Sequence, residues 1–388
     1  MGYKLFIIFL LKVFLMRVKW LKLNNFRNYD ELVVEFFDGI NLIAGKNGQG
    51  KTNMVEAVML GALTKSPRTS HDEDMKKEGT DATVAEICVE RSFGDVTVKI
   101  TINSETKKSF FINTNEAKKL SEVFGNLVAV YFSPNDLKIV SGGPNERREF
   151  MDTDISQLSG SYYNLTQRYE KVLIQRNKLL KMVHDKTMLE SQIEVWDTQL
   201  AYLAGLIIKT RKNFIQKITV PANETMKNIS KNADELKISY VGAKGETAKE
   251  IEEEIAKSLK NNLTRDMELG YTSIGPHRDD VKFELNGRDS KVFASQGQQR
   301  SIVLALKVAE MKVFEAELGE KPIFVLDDVF SELDSSRQKK MFEMLSGTQV
   351  LMTGTAFRFK PNEAYMQIEV KDSKIKVKIN EKIKTTTI

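Results

Sequence analysis

The chain has 388 residues, 41% hydrophobic and 29% charged, enough apolar side chains for one large or two to three smaller domains. Its single cysteine, Cys88, excludes an intramolecular disulfide and a thiolate metal cluster and suits the cytosol; three histidines (His71, His184, His277) are too scattered for a metal site. A net charge of +5 permits nucleic-acid binding without requiring it.

The apolar run Leu5 to Leu11, between Lys4 and Lys12, resembles a signal-peptide core. It lacks a small-x-small cleavage site and is too short to span a bilayer. Residues 1–15 therefore read as an upstream extension, with the natural start at Met16; a membrane anchor is the other reading of that run. Val18–Leu23, Leu32–Phe37 and Ile40–Ala44 alternate as strands. Gly45-Lys46-Asn47-Gly48-Gln49-Gly50-Lys51-Thr52 follows, a complete P-loop of the form G-x-x-x-x-G-K-[ST]. Its glycines let backbone N–H groups curl around phosphate oxygens, and the next helix aims its positive end at them. Lys51 is expected to reach the β/γ-phosphates of ATP and Thr52 to hold Mg²⁺.

Further along, Thr83–Arg91, Val96–Ile102 and Lys108–Asn113 read as an antiparallel sheet, with Cys88 buried in it, and Leu127–Phe132 as another strand. From 145 to 217 there is no proline, and helical apolar spacing predicts an antiparallel helical pair broken at Asp185-Lys186-Thr187. Asn223–Ile229 and Lys249–Leu259 add shorter helices, and Leu236–Val241 a strand. Arg168, Lys171, Arg176, Lys178, Lys181, Lys209, Arg211 and Lys212 make the polar faces basic, either as solvated surface or as a DNA-contacting face. Near 265 the sheet-and-helix style returns. Gly297 opens a long helix through Leu318, Ile323–Leu326 is a buried strand ending in Asp327-Asp328, and Gln367–Val370 with Lys374–Ile379 closes a hairpin around Asp372-Ser373.

A P-loop and an acid pair some 275 residues apart make one site only if the chain leaves the nucleotide-binding head and returns. The boundaries read as 16–150 (head, first half), 151–264 (helical arm) and 265–388 (head, second half). The fold expected is α/β: an ABC/SMC-type P-loop ATPase head with an inserted helical arm. Ser295-Gln296-Gly297-Gln298-Gln299 resembles the signature segment of ABC-type ATPases, which meets the γ-phosphate held by a partner subunit; alone it is also an ordinary helix N-cap. Asp327 is the expected Mg²⁺ ligand and Asp328 the general base, a short one. Thr353-Gly354-Thr355 stands where a switch histidine is usual, so Thr353 or Thr355 is a candidate γ-phosphate contact.

Six segments resemble the RecF family of bacterial repair ATPases: Asn25-Phe26-Arg27-Asn28-Tyr29, the P-loop with Asn53, Arg147–Asp152, Gly275-Pro276-His277-Arg278-Asp279-Asp280, Ser295–Arg300 and Leu326–Asp334. Pro67 and Asn135 depart from the family pattern, where His and Glu are usual. The resemblance implies an ATP-dependent homodimer that binds gapped or junction DNA, works with RecR and RecO to load RecA, and hydrolyses ATP slowly, with no membrane partner. It implies nucleotide contacts from Gly45 through Asn53 and from Ser295, Gly297 and Gln298. Arg68, Arg147 and Arg148 are candidate nucleotide or DNA contacts, and His277 and Arg278 lie near the nucleotide, at the dimer interface or in a packed structural role. An ATP-gated DNA-binding module without turnover and a transporter-type ATPase subunit are the rival readings.

Overall fold

In the computed structural model, residues 14–380 are described, apart from 106, 183–185, 330–333, 358–360 and 362–363. The chain packs as two compact units, one of residues up to Asp136 and from Lys307 onward, the other Leu137–Leu306. These divisions fall earlier than the expected 150 and later than the expected 264. The second crossing lies inside one continuous helix, Gln296–Leu318. The Ser295 segment thus belongs with the helical unit, which periodicity inside an unbroken helix cannot reveal.

The first unit begins with β1 (Phe14–Leu15), β2 (Arg17–Phe26), β3 (Tyr29–Glu35) and β4 (Ile40–Ala44). The helix Lys51–Leu63 comes next, then β5 (Ala82–Arg91), β6 (Gly94–Asn103), β7 (Lys107–Ile112), β8 (Asn115–Glu116) and β9 (Ala129–Phe132). The second unit holds helices Pro144–Leu158, Gly160–Met182, Lys186–Ser230, Ala248–Asn261 and Leu263–Leu269 with β10 (Leu236–Val241), β11 (Asp280–Leu285) and β12 (Arg288–Asp289). Back in the first unit lie β13 (Glu320–Lys321), β14 (Ile323–Asp327), the helix Ser335–Met344, β15 (Val350–Gly354), β16 (Tyr365–Lys371) and β17 (Lys374–Asn380).

Two six-stranded sheets build the first unit, ordered β17-β16-β4-β15-β14-β9 and β3-β2-β5-β6-β7-β8. In the former, β16, β4, β15, β14 and β9 run parallel and only β17 is antiparallel. Parallel strands covered on both faces read as unbroken apolar runs, and every residue of β4, β14 and β15 is buried. The second sheet is antiparallel, with Cys88 buried in β5 as expected. The closing hairpin turns through Asp372 (φ 50°) and Ser373 (φ 59°), the paired left-handed residues of a two-residue loop.

Phe14 and Leu15, the end of the segment read as an upstream extension, pair in parallel with Glu320 and Lys321, and Met16 is fully buried beside them; the 5–11 apolar run lies outside the described residues. One expectation needs correction. The helix expected at 223–229 is not separate: one helix runs from Lys186 to Ser230 straight through Pro221. A proline removes one backbone donor there, but Ile218, Ala222 and Met226 are fully buried around it and hold the chain helical. The break expected at Asp185-Lys186-Thr187 falls mostly on residues outside the description, helix resuming at Lys186.

The basic faces of the second unit divide into interior and surface. Arg176 is fully buried, donating to Asp197 Oδ1 (2.6 Å), Asp266 Oδ2 (2.7 Å) and Thr272 Oγ1 (2.9 Å). Arg211 is buried on Asp152 (2.9 and 2.7 Å) and on the Pro276 carbonyl (2.6 Å). Neither is free to meet DNA.

Candidate nucleotide site

The site is built entirely within the first unit, at the carboxyl ends of β4, β14 and β15. Gly50 caps the helix Lys51–Leu63 with φ 107°, and a Cβ there would lie 2.8 Å from Asn28 Nδ2 and Tyr29 Oη. A Cβ on Gly45 would sit 2.4 Å from the Val370 carbonyl oxygen. Both positions therefore demand glycine, one by conformation and space, the other by space alone. The Asn25–Tyr29 turn braces the loop: Tyr29 Oη donates to the Gly50 carbonyl (3.1 Å) and Asn28 Nδ2 to the Gln49 carbonyl (3.1 Å). The hairpin tip joins in, as the Asp372 amide donates to Gln49 Oε1 and Asn28 Nδ2 to Ser373 Oγ (2.9 Å). Lys46, Asn47 and Gly48 form the exposed rim.

Lys51 is only 5% exposed, and its ammonium donates to the Lys46 carbonyl (2.9 Å), curled over the loop. Burial pushes its pKa down, opposed by the carboxylates of Asp328 and Asp327. Asp327 collects three hydroxyl donors: Thr52 Oγ1 (3.0 Å) and Thr353 Oγ1 (2.7 Å) on Oδ1, and Tyr131 Oη (3.1 Å) on Oδ2. Tyr131 remains a donor because burial, then the Asp327 charge, holds its pKa far above the ordinary 10. The Thr52 hydroxyl beside the Asp327 carboxyl is a hard-oxygen pair of the kind that suits Mg²⁺.

Asp328 is exposed and takes φ 59°, a left-handed backbone, and its amide donates to Thr353 Oγ1 (3.0 Å). Thr353 thus joins both acids, accepting from one residue and donating to the other. It is completely buried. The Thr353 hydroxyl, one of the two expected γ-phosphate contacts, is engaged in both directions within the acid pair. Thr355, by contrast, lines a cleft of about 700 Å³ beside Gly45, Lys46 and Gln49.

Other expected contacts distribute unevenly. The Asn53 amide donates to Asn28 Oδ1 (2.7 Å) and accepts from Arg68 (2.8 Å), so it braces the site. Arg68 also pairs with Glu56 (3.1 Å). Glu56, missed in the sequence, is buried in the helix and further binds Arg27 (3.0 and 2.6 Å) and Ser66 Oγ (2.5 Å). A lone acid within the apolar stretch Met54–Leu63 was the available signal. Ser295, Gly297 and Gln298 stand in the second unit, where Ser295 caps its helix: Gln298 N donates to Ser295 Oγ (3.2 Å) and Ser295 N to Gln298 Oε1 (3.0 Å). The Ser331–Leu333 part of the Leu326–Asp334 segment lies outside the described residues.

Within the second unit, the Gly275–Asp280 segment is a packed polar core. Arg147 clasps Asp280 with two bonds (2.6 and 3.0 Å), Arg148 donates to the Asp279 carbonyl (2.6 Å), and Tyr240 Oη donates to Asp279 Oδ2 (2.5 Å). His277 lies 2.7 Å from Tyr169 Oη and 3.0 Å from the Thr272 carbonyl. Arg147 is consumed internally, and Arg278 stacks over Tyr271 at 4.7 Å.

This core makes a pH prediction. Burial raises Asp279 from 3.8 to about 6, against the Tyr240 bond and the charges of Arg211 and Arg148. Its contribution is present below pH 3.8 and lost as pH rises through 6. Burial lowers His277 from 6.5 to about 4, against the Thr272 carbonyl, so its contribution is present above pH 6.5 and lost as pH falls through 4. Each is worth at most about 3 kcal/mol, and over about pH 4–6.5 they nearly cancel. In Asp279→Asn the histidine acts alone, and stability should fall by up to about 3 kcal/mol on acidification across that window. Urea unfolding followed by Trp196 fluorescence in a Trp20→Phe background reads this unit; identical pH curves with and without the Asp279→Asn substitution would contradict the assignment.

The RecF/RecN/SMC N-terminal domain matches residues 17–378. The DNA replication and repair protein RecF of Alkaliphilus oremlandii is 42% identical over 344 residues, 88% of this chain and 93% of its own. The chain belongs to the RecF family. The RecF of Clostridium botulinum (strain ATCC 19397) is 36% identical over 369 residues, 95% of this chain and all of that one. A solved recombination mediator protein RecF bound to ATP superposes with a TM-score of 0.87 at 32% identity, covering 94% of this chain and 98% of that one. The Smc head of Pyrococcus furiosus, at 15% identity and a TM-score of 0.55, shares the fold, which is that of an ABC/SMC-type ATPase head.

Proposed function

We propose that the chain is an ATP-dependent DNA-binding protein of recombinational repair and replication restart, dimerised by ATP around gapped or single/double-strand junction DNA. The observation that carries this is the joining of Lys51, Thr52, Asp327 and Asp328 at one P-loop within a RecF-family chain. The ATP-bound RecF described within a RecFOR pathway supports ATP as the nucleotide and RecO and RecR as partners; RecA loading is the outcome proposed for that partnership. No helix of the described residues is long and apolar enough to cross a membrane.

The P-loop amides and Lys51 bind the phosphates. Thr52 and Asp327 would hold Mg²⁺, which when bound neutralises phosphate charge and orients the γ-phosphoryl group. Asp328, on the exposed side of the acid pair, takes the proton of the attacking water. The exposed cap of Ser295, with Gly297 and Gln298, serves the γ-phosphate of a second copy, so that nucleotide joins two heads and hydrolysis separates them. Two observations favour a variant with negligible turnover: Asp328 is a short base, and Thr353 is committed to the two acids.

ATP hydrolysis measured against protein concentration, with and without gapped duplex, separates these readings. A rate per subunit that climbs with concentration and rises with DNA supports the clamp. ATP-dependent DNA binding without turnover supports the gated module, and indifference to DNA in both assays removes the repair reading.

A further inference from the structure

With Arg176 assigned to the interior, three of the four remaining cations of the helix Gly160–Met182 share one face. Arg168, Lys171 and Lys178 are exposed and lie at i, i+3 and i+10, on one face with exposed Gln175 at i+7. They extend over about 15 Å of helix. Among the described residues none of the three makes an ion pair, and the face includes no carboxylate. On the antiparallel helix Lys186–Ser230, exposed Gln192, Val195, Gln199 and Tyr202 share one face. A cleft of about 230 Å³ joins the two, lined by Arg168, Lys171, Val172, Gln199, Tyr202 and Leu203. Tyr202 is 50% exposed at its mouth.

We propose that this cleft binds the unpaired strand of the DNA, its phosphates on Arg168, Lys171 and Lys178 and one base stacked on Tyr202; the proposal rests on the DNA-binding reading above. Three unpaired cations along one helix match a polyanion with regularly repeated charges. A half-exposed aromatic ring between them and two amides offers a base a stacking surface without selecting among bases. A duplex keeps its bases stacked inside and cannot use the ring, so the unpaired strand is the occupant the side chains fit.

The test uses the full chain with ATP and a fluorescein-labelled oligothymidine, titrated at several salt concentrations beside a fully paired duplex. Arg168→Gln/Lys171→Gln should weaken oligothymidine binding about 10- to 100-fold and flatten the slope of log affinity against log salt by about 1.4, or roughly 0.7 per lost phosphate contact. Tyr202→Ala should cost about 5- to 100-fold with the salt slope unchanged, and Tyr202→Phe should restore binding. Duplex affinity should stay within about twofold in every variant, and unchanged melting temperatures guard against misfolding. Wild-type affinity for oligothymidine in the variants overturns the site while leaving the DNA reading intact. Polyglutamate titrated in parallel gives the contrary outcome: if it binds the wild-type chain and is lost in the variants while oligothymidine binding is retained, the site is overturned in favour of an acidic protein. A wild-type chain that binds neither oligothymidine nor gapped duplex overturns both the site and the reading beneath it.

Discussion

Lys51→Ala should abolish ATP binding at micromolar concentrations while leaving the fold intact. The ammonium is nearly buried, and it donates to the Lys46 carbonyl, a neutral group within the same loop. Burial already works against its charge, so the polyphosphate is the partner that compensates most for keeping a cation there. Truncating one partner of a buried, hydrogen-bonded charge pair costs about 2–5 kcal/mol, or roughly 30- to 5000-fold in affinity. Without nucleotide, the lost bond to Lys46 is worth only about 1 kcal/mol. Titration of a fluorescent ATP analogue, with melting curves of the nucleotide-free chains, reads both effects. Affinity within threefold of wild type would remove Lys51 from the site.

The parts of this site legible in the sequence were those fixed by steric or chemical uniqueness. Gly50 needs its left-handed backbone and Gly45 has no room for a Cβ, so the loop announces itself. An unbroken apolar run ending in Asp327-Asp328 announces a buried strand in the same way. Thr353 was invisible as a brace because its partners lie 25 and 26 residues away and are met only through pairing of β14 with β15. The basic arm was misjudged for a different reason. Arg176 shares its helix with Lys171 and Lys178 but faces the interior, where Asp197 and Asp266 await it from other elements. Composition counts such cations alike; only helical phase and the partners' positions separate them. The Ser295 segment shows a limit of another kind, because its cap bonds are local and would be the same with or without a second subunit's nucleotide.

Asp328→Asn should retain ATP binding and ATP-driven association but lower hydrolysis about 10²- to 10⁴-fold, the range a positioned general base supplies. Asparagine is the informative replacement because it tolerates the left-handed backbone at φ 59° as well as aspartate does. The loss would then report chemistry rather than strain. Thr353→Val extends the experiment to the brace. Valine keeps the shape in a fully buried position but strips the Asp328 amide of its acceptor and Asp327 of a donor. Leaving such groups unpartnered costs about 1–3 kcal/mol, and part of that cost should appear as a slower chemical step. Turnover should fall about 10- to 100-fold, with ATP affinity changed far less, and Thr353→Ser should recover it. Single-turnover hydrolysis at saturating ATP, compared with nucleotide titration, separates the two effects. If Thr353→Val matched wild type in the chemical step, the left-handed turn at Asp328 would be held by the strand ends themselves. If Asp328→Asn did so, the proton from water must go elsewhere than to this carboxylate.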